Sequence, residues 1–177
     1  MTDVAAPTTP AQAWAHKHGL VNMLRHGEAR TTDNVLDRLL IQEAFYRYGI
    51  AHDEDRVDVL ATLFTDDAVL EIAEGKQPFQ RVEGAAALAA NFASAIRQQT
   101  DQRRHCVTNV VFENLTETEA LVIAYGIVTI AADGLTVGVA VIYTADFRKE
   151  ADGVWRFSRL FIGMDVYSGK RLFGREA

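Results

Sequence analysis

RRHCVTNVVFENLTETEALVIAYGIVTIAADGLTVGVAVIYTADFRKEADGVWRFSRLFIGMDV, residues 103–166, decides the fold. It holds four runs rich in β-branched and aromatic residues, at 103–113, 118–132, 135–149 and 154–166. Short breaks separate them: Asn114–Glu117, Asp133-Gly134 and Ala151-Asp152-Gly153. Strands that succeed one another through tight turns pair antiparallel, so the segment reads as a meander. Two of these strands are apolar on both faces. Val122, Ala124, Val128 and Ile130 share one face of theirs, and Leu121, Ile123, Tyr125 and Ile127 the other. Val137, Val139, Val141 and Tyr143 oppose Ala140 and Ile142 in the same way. A sheet with one wet face alternates apolar with polar residues. Helices can cover only one of these two faces, so the other is assigned to a second subunit, and a homodimer or homotrimer is expected.

The residues before the meander are helical in pattern. From about Asn34 to Ala51, Leu36, Leu40, Ala44 and Tyr48 fall four apart, with Ile41 and Phe45 beside them. Thr32 or Asp33 can cap this helix. A second short helix is expected from about Arg56 to Phe64, capped by Asp55. Thr65-Asp66-Asp67 reads as a turn into a strand near Ala68 to Ile72, and Pro78 to Val82 as a returning edge strand. Gly84 opens an alanine-rich helix to about Gln98, with Leu88 and Phe92 on its apolar face. Helices first and strands later define an α+β fold with helices on one face of a curved, mostly antiparallel sheet. Residues 1–32 form an N-terminal arm with a short, interrupted helix around Trp14, and residues 33–177 a single domain.

Composition excludes several function classes. The chain has 177 residues, enough for one domain with a true core, and a net charge of −6. Lys and Arg gather on no face, so nucleic acid is not an expected partner. No apolar run is long enough to span a bilayer, and the first residues lack a signal-peptide pattern, so no membrane partner is expected. The single cysteine, Cys106, can form no internal disulfide, which agrees with a reducing, cytoplasmic setting.

The candidate chemistry joins the two halves. Alternation places His105 and Asn109 on one face of the first meander strand, between Val107 and Val111, and Cys106 on the other. Polar groups on an apolar face are either satisfied core residues or the contacts of a small-molecule pocket. Asn109 reads equally as substrate-orienting or as a strand-end residue. Asp53 lies among His52, Glu54, Asp55 and Asp58, an acidic helix junction; turned inward, it can accept a bond from His105 and fix its tautomer. Tyr48 is five residues before Asp53, well away from it around an ideal helix, so a shared site requires the helix to end or turn near Gly49–His52. His16, His18 and His26 lack partner acids at ligand spacing, so no metal site is expected, and proton transfer by these side chains needs no organic cofactor.

The stretches DRLLIQEAFYRYGIAHDEDRVDVLATLFTDDAV, RHCVTNVVFE and IYTADFRKEADGVWRFSRL resemble the SnoaL-like branch of the nuclear transport factor 2-like superfamily, over roughly residues 34–165. The resemblance implies a cone-shaped, strongly curved sheet wrapped around N-terminal helices, with a pocket at the open end. Within the branch the chain is similar to scytalone dehydratase, bile acid 7α-dehydratase and hexachlorocyclohexane dehydrochlorinase, which pair an aspartate after the first helix with a histidine opening a strand. Asp53 and His105 match that pair, and Tyr48 matches a tyrosine of the bile acid enzyme. The dehydrochlorinase has a lysine there, so loss of chloride is disfavoured. His52 stands where scytalone dehydratase has a tyrosine, and Tyr125 is the nearest polar candidate for that enzyme's second histidine. The expected catalytic residues are thus His105, Asp53 and Tyr48, and the expected substrate contacts Asn109, Tyr125, His52 and Phe92. The expected reaction is cofactor-free dehydration or isomerisation of a small hydrophobic or aromatic molecule. The β subunits of ring-hydroxylating dioxygenases resemble the same stretches, which keeps a structural role open beside a ligand-binding one.

Overall fold

A computed structural model describes residues 12–21, 34–75 and 77–167. Its elements run α1 (Trp14–Lys17), α2 (Val35–Asp53), α3 (Val57–Thr62), β1 (Phe64–Glu74), β2 (Gln77–Glu83), α4 (Ala85–Arg97), β3 (Gln102–Leu115), β4 (Glu119–Ala131), β5 (Leu135–Lys149) and β6 (Trp155–Tyr167). The strands form one curved sheet in the order β2-β1-β6-β5-β4-β3. The meander is antiparallel throughout, as expected, and β1 is antiparallel to β2. Among the described strands only β1 and β6 run parallel. The fold is α+β, with α2, α3 and α4 against the inner face of the sheet.

Aromatic packing builds the core. Phe45 of α2 meets Phe147 and Phe157 edge-on at 5.5 and 5.1 Å between ring centroids, and all three are almost fully buried. Edge-on geometry suits the quadrupoles of such rings. The buried stripe of α2 is Ile41, Ala44, Phe45, Tyr48, Gly49, Ala51 and His52. It is rotated from the expected one, and Leu36 and Leu40 are exposed. The rotation follows from Phe45, whose ring is drawn into the aromatic cluster.

An aspartate fastens α2 to the sheet at each end. Asp37 accepts hydrogen bonds from Trp155 Nε1 at 2.7 Å and Lys149 Nζ at 2.9 Å. The Trp155 bond, together with the lysine, holds its carboxyl below the usual carboxylate range despite the cost of desolvation. Asp53 fastens the other end.

Other local details differ from the sequence reading. Thr65-Asp66-Asp67 lies within β1 rather than in a turn, and the strand absorbs the irregularity as a register shift against β6. Asp55 does not cap α3: it adopts a positive φ of 52°, and Arg56 takes the N-cap position. Val137 is exposed, because the β4–β5 ladder slips at Val128/Thr129 and breaks the alternation there. The proposed capping residues Thr32 and Asp33, and the tail from 168, lie outside the described residues.

The outer face of the sheet carries α1. Trp14 packs with Ala73, Ile123, Ile142 and Phe161, and its Nε1 donates to Asp165 Oδ1 at 2.5 Å. The indole enters a notch at Gly163, where a Cβ would stand 2.5 Å from Trp14 Cη2. On the same face of β4, Tyr125 and Ile127 remain exposed. Among the described residues no helix is long and apolar enough to cross a membrane.

Candidate active site

The start of β3 is tied to the end of α2 by three successive contacts. Gln102 Nε2 donates to the Asp53 carbonyl at 3.2 Å, and Arg104 pairs with Glu54 at 2.7 Å. His105 completes the set: its backbone N–H donates to Asp53 Oδ2 at 2.7 Å, and its Nδ1 lies 2.5 Å from Asp53 Oδ1. Both carboxylate oxygens are therefore engaged by one residue. A carboxylate near a helix C-terminus is opposed by the helix dipole, so these bonds are what hold it there. They also assign the proton to Nδ1 and leave Nε2 as a lone-pair acceptor. Nε2 has no hydrogen-bond partner among the described residues.

Gly49 permits this approach. A Cβ on it would stand 2.9 Å from the His105 carbonyl oxygen and 3.2 Å from the His105 Cβ. Gly49 and Asp53 are four residues apart and share the helix face turned to β3. Tyr48 and His52, also four apart, share the neighbouring face. The helix neither ends nor turns between Tyr48 and Asp53, contrary to the requirement stated from sequence. Instead the His105 ring stands between the two faces, with Asp53 at its Nδ1 and Tyr48 edge-on at 6.3 Å between centroids.

These groups line a cavity of about 50 Å³ between α2, α4 and the sheet. Its polar lining includes Tyr48, His52, Asn91, Arg103, His105 and Tyr143, and its apolar walls include Phe92, Val139, Val141 and Met164. The volume is roughly a third of the ~150 Å³ that admits benzene, so it accommodates a few-atom reacting fragment without rearrangement. Arg103 is buried and paired with Asp101 at 2.8 Å. His52 is buried, its ring 4.6 Å from that of His105, and its Nδ1 is sealed without a hydrogen-bond partner. Desolvation, reinforced by His105, pulls the His52 pKa down to about 3, so it is a neutral imidazole at ordinary pH. Burial pushes the Tyr48 and Tyr143 phenols up, leaving both neutral donors.

Of the seven residues expected at the site, the structure gathers five: Tyr48, His52, Phe92 and His105 at the cavity wall, and Asp53 behind His105. Asn109 is not among them. It takes a positive φ of 55° in a bulge where the β3–β4 register shifts between Thr108 and Val111, and it is exposed. The extra residue breaks the alternation that had paired it with His105. Tyr125 is 53% exposed on the outer face of β4, away from the cavity. Arg148 and Arg159 are held in surface ion pairs with Asp67 and Glu71. Cys106 is exposed, facing away from His105 as alternation predicts. Sequence reasoning missed Tyr143 and Arg103. Strand alternation carried both signals, since Tyr143 shares a face with Val139 and Val141, and Arg103 stands two residues before His105.

His52, Asp53 and His105 offer ligand atoms within 4.8 Å of one another. They fit a metal poorly. Both Asp53 oxygens already accept hydrogen bonds from His105, and an ion on Asp53 would have to displace the Nδ1 bond.

Residues 33–160 match a SnoaL-like domain. No curated protein matches the chain. Several solved structures share the fold. A protein provisionally named a scytalone dehydratase, from Novosphingobium aromaticivorans, is 21% identical with a TM-score of 0.66, over 83% of this chain and 100% of that one. The hexachlorocyclohexane dehydrochlorinase of Novosphingobium barchaimii is 20% identical with a TM-score of 0.65, over 77% and 91%. The beta subunit of a provisionally assigned aromatic-ring-hydroxylating dioxygenase from N. aromaticivorans is 21% identical with a TM-score of 0.67, over 78% and 95%. At these identities the likeness concerns the fold.

Proposed function

The chain belongs to the SnoaL-like domain family, and on that footing we propose that it is a small-molecule lyase of the dehydratase type, working without a cofactor through His105 and Asp53. The observation that carries the reading is the double hold of Asp53 on His105 at a cavity wall. Nε2 of His105 removes a proton from carbon beside a carbonyl. The imidazolium that forms is stabilised by the Asp53 carboxylate, and its new proton then passes to the departing hydroxyl, which leaves as water. The neutral Tyr48 phenol donates a hydrogen bond to the oxygen on which negative charge develops. Proton transfer by a positioned group contributes about 10²–10⁴-fold. His52 and Phe92 bound the substrate on the helix side. A reducing cytoplasm suits the exposed thiol of Cys106.

The test is a thermal-shift screen of small β-hydroxy ketones, followed by assay of hits for dehydration with wild type and His105→Ala. The expected loss is at least about 10²-fold. An equal rate in the variant removes the proposal.

A second reading is a structural subunit, favoured by the shared fold of the dioxygenase beta subunit. A scaffold has no use for a partly buried carboxylate–imidazole pair beside a void. Co-purification with an iron–sulfur partner, together with no ligand in the screen, would favour the scaffold.

A further inference from the structure

Proton transfer employs one nitrogen of His105 and needs of His52 only its bulk. His52 is 7% exposed, and its ring lies 4.6 Å from that of His105 between centroids, tilted by 53°. Its Nδ1 is sealed without a partner. Its Nε2 is not sealed, and it bonds to nothing among the described residues. Buried polar groups normally find partners, so a bare nitrogen on a cavity wall calls for a ligand. His105 Nε2 stands bare on the same wall, because Asp53 occupies Nδ1. Two imidazoles thus share one small space, each with a nitrogen uncommitted.

This pair differs from the three-ligand set that includes Asp53. That carboxylate gives both oxygens to His105 and cannot ligate without breaking those bonds. Left in place, it supplies the support behind a metal ligand instead. A histidine that binds a metal through one nitrogen almost always donates its other N–H to a carboxylate, a carbonyl or water, which fixes the tautomer and makes the ring a better ligand. His105 has that arrangement at Nδ1. The ligand atoms that His52, Asp53 and His105 offer lie within 4.8 Å of one another. Zinc holds nitrogen at about 2.0–2.1 Å, so one ion between two imidazoles needs their nitrogens roughly 3.4 Å apart, a gap that a small turn of the His52 ring closes. Arg103, a buried cation on the same wall, is paired with Asp101 at 2.8 Å, which reduces its repulsion of an ion. A cavity of about 50 Å³ has room for an ion with a few waters.

We propose that His52 and His105 form a two-imidazole site for a borderline divalent cation such as Zn²⁺, with Asp53 behind His105, and that the ion blocks the site rather than serving it. Bound at Nε2 of His105, it holds the lone pair that takes the substrate proton. The blockade rests on the elimination reading of His105; the binding does not. Imidazole nitrogen suits zinc, copper and nickel, whereas magnesium prefers oxygen.

The test is calorimetric titration of the full chain with ZnCl₂, in a Cys106→Ser background that removes the exposed thiol as a ligand. One ion per chain is expected. Asp53→Asn is expected to weaken binding about 10–100-fold, and His52→Phe and His105→Ala by at least as much. Melting curves establish that each variant is folded, and His52→Gln serves where the phenylalanine variant is not. MgCl₂ should give no binding heat. Zinc binding that survives both histidine variants is adventitious and overturns the proposal, as does Mg²⁺ binding of equal strength. Zinc held by both histidines in a chain that dehydrates nothing upholds the site and sinks only the elimination reading. A chain that dehydrates at full rate in saturating Zn²⁺ overturns the proposal and leaves that reading standing.

Discussion

Gly49 sets the distance between a carboxylate and an imidazole without belonging to either. Adding a single methyl at this position pushes against the His105 carbonyl, which is backbone and cannot swing aside. Gly49→Ala is therefore expected to cost about 1–3 kcal/mol in denaturant unfolding despite the better helix propensity of alanine. It should also lower dehydration activity by lengthening the Asp53–His105 bond. Unchanged stability and rate would show that β3 yields freely. His52 makes a pH-dependent contribution. Its folded pKa lies near 3 against an ordinary 6.5, so between those values the unfolded chain binds the extra proton. Stability is expected to fall as pH drops below about 6.5, by up to about 1.4 kcal/mol per unit. His52→Phe, which cannot take a proton, should flatten that limb in melting curves from pH 7 to 4. The residues of the site were partly legible in the sequence. Asp53 and His105 stood out by type and position, but only the fold shows that both carboxylate oxygens meet one residue. Asn109 misled because a bulge leaves no mark in a run of β-branched residues. Tyr143 went unnoticed because a tyrosine among valines reads as core.

The long helix shows what patterning at the level of elements can and cannot give. Its existence and its place before the strands follow from a helical period over residues 34–51, and the four meander runs follow from their turns. The helix's rotation does not, because the period marks two adjacent apolar stripes and the aromatic cluster around Phe45 selects between them. Asp37 contributes at the opposite end from the site. Asp37→Ala leaves the Trp155 indole N–H without its acceptor and is expected to cost about 1–3 kcal/mol by denaturation, while leaving the dehydration rate of the folded protein unchanged. The depressed Asp37 carboxyl stabilises the fold above its unfolded value of 3.8, and that gain is lost as pH falls through the lower folded value. It therefore acts in a more acidic window than His52, and the two variants should alter different parts of one pH–stability curve.

The whole molecule presents a sheet with two apolar faces, of which the described helices cover one and α1 part of the other. Trp14 keeps Ile123, Ile142 and Phe161 from water, yet Tyr125 and Ile127 stay exposed beside them. The expectation of a homodimer or homotrimer through this face is tested by light scattering at micromolar concentration. Tyr125→Lys with Ile127→Lys is expected to give a monomer of unchanged secondary structure, and a wild type that is already monomeric would discard the idea. The overall architecture was the most legible part of the sequence, since strand alternation and turn residues report it locally. The parallel contact between β1 and β6 was not, because it joins segments far apart in the chain. That contact bears on how the protein is made. On the ribosome, β1 and β2 emerge as a lone hairpin, and lone hairpins are marginal in water. Leu70 and Ile72 must wait for Leu160 and Ile162, which belong to the last of the described strands to be translated, before the apolar hairpin is sheltered. Completion of the sheet thus waits for β6, and a chain truncated before β6 is expected to head for aggregation or proteolysis rather than to give a smaller working protein.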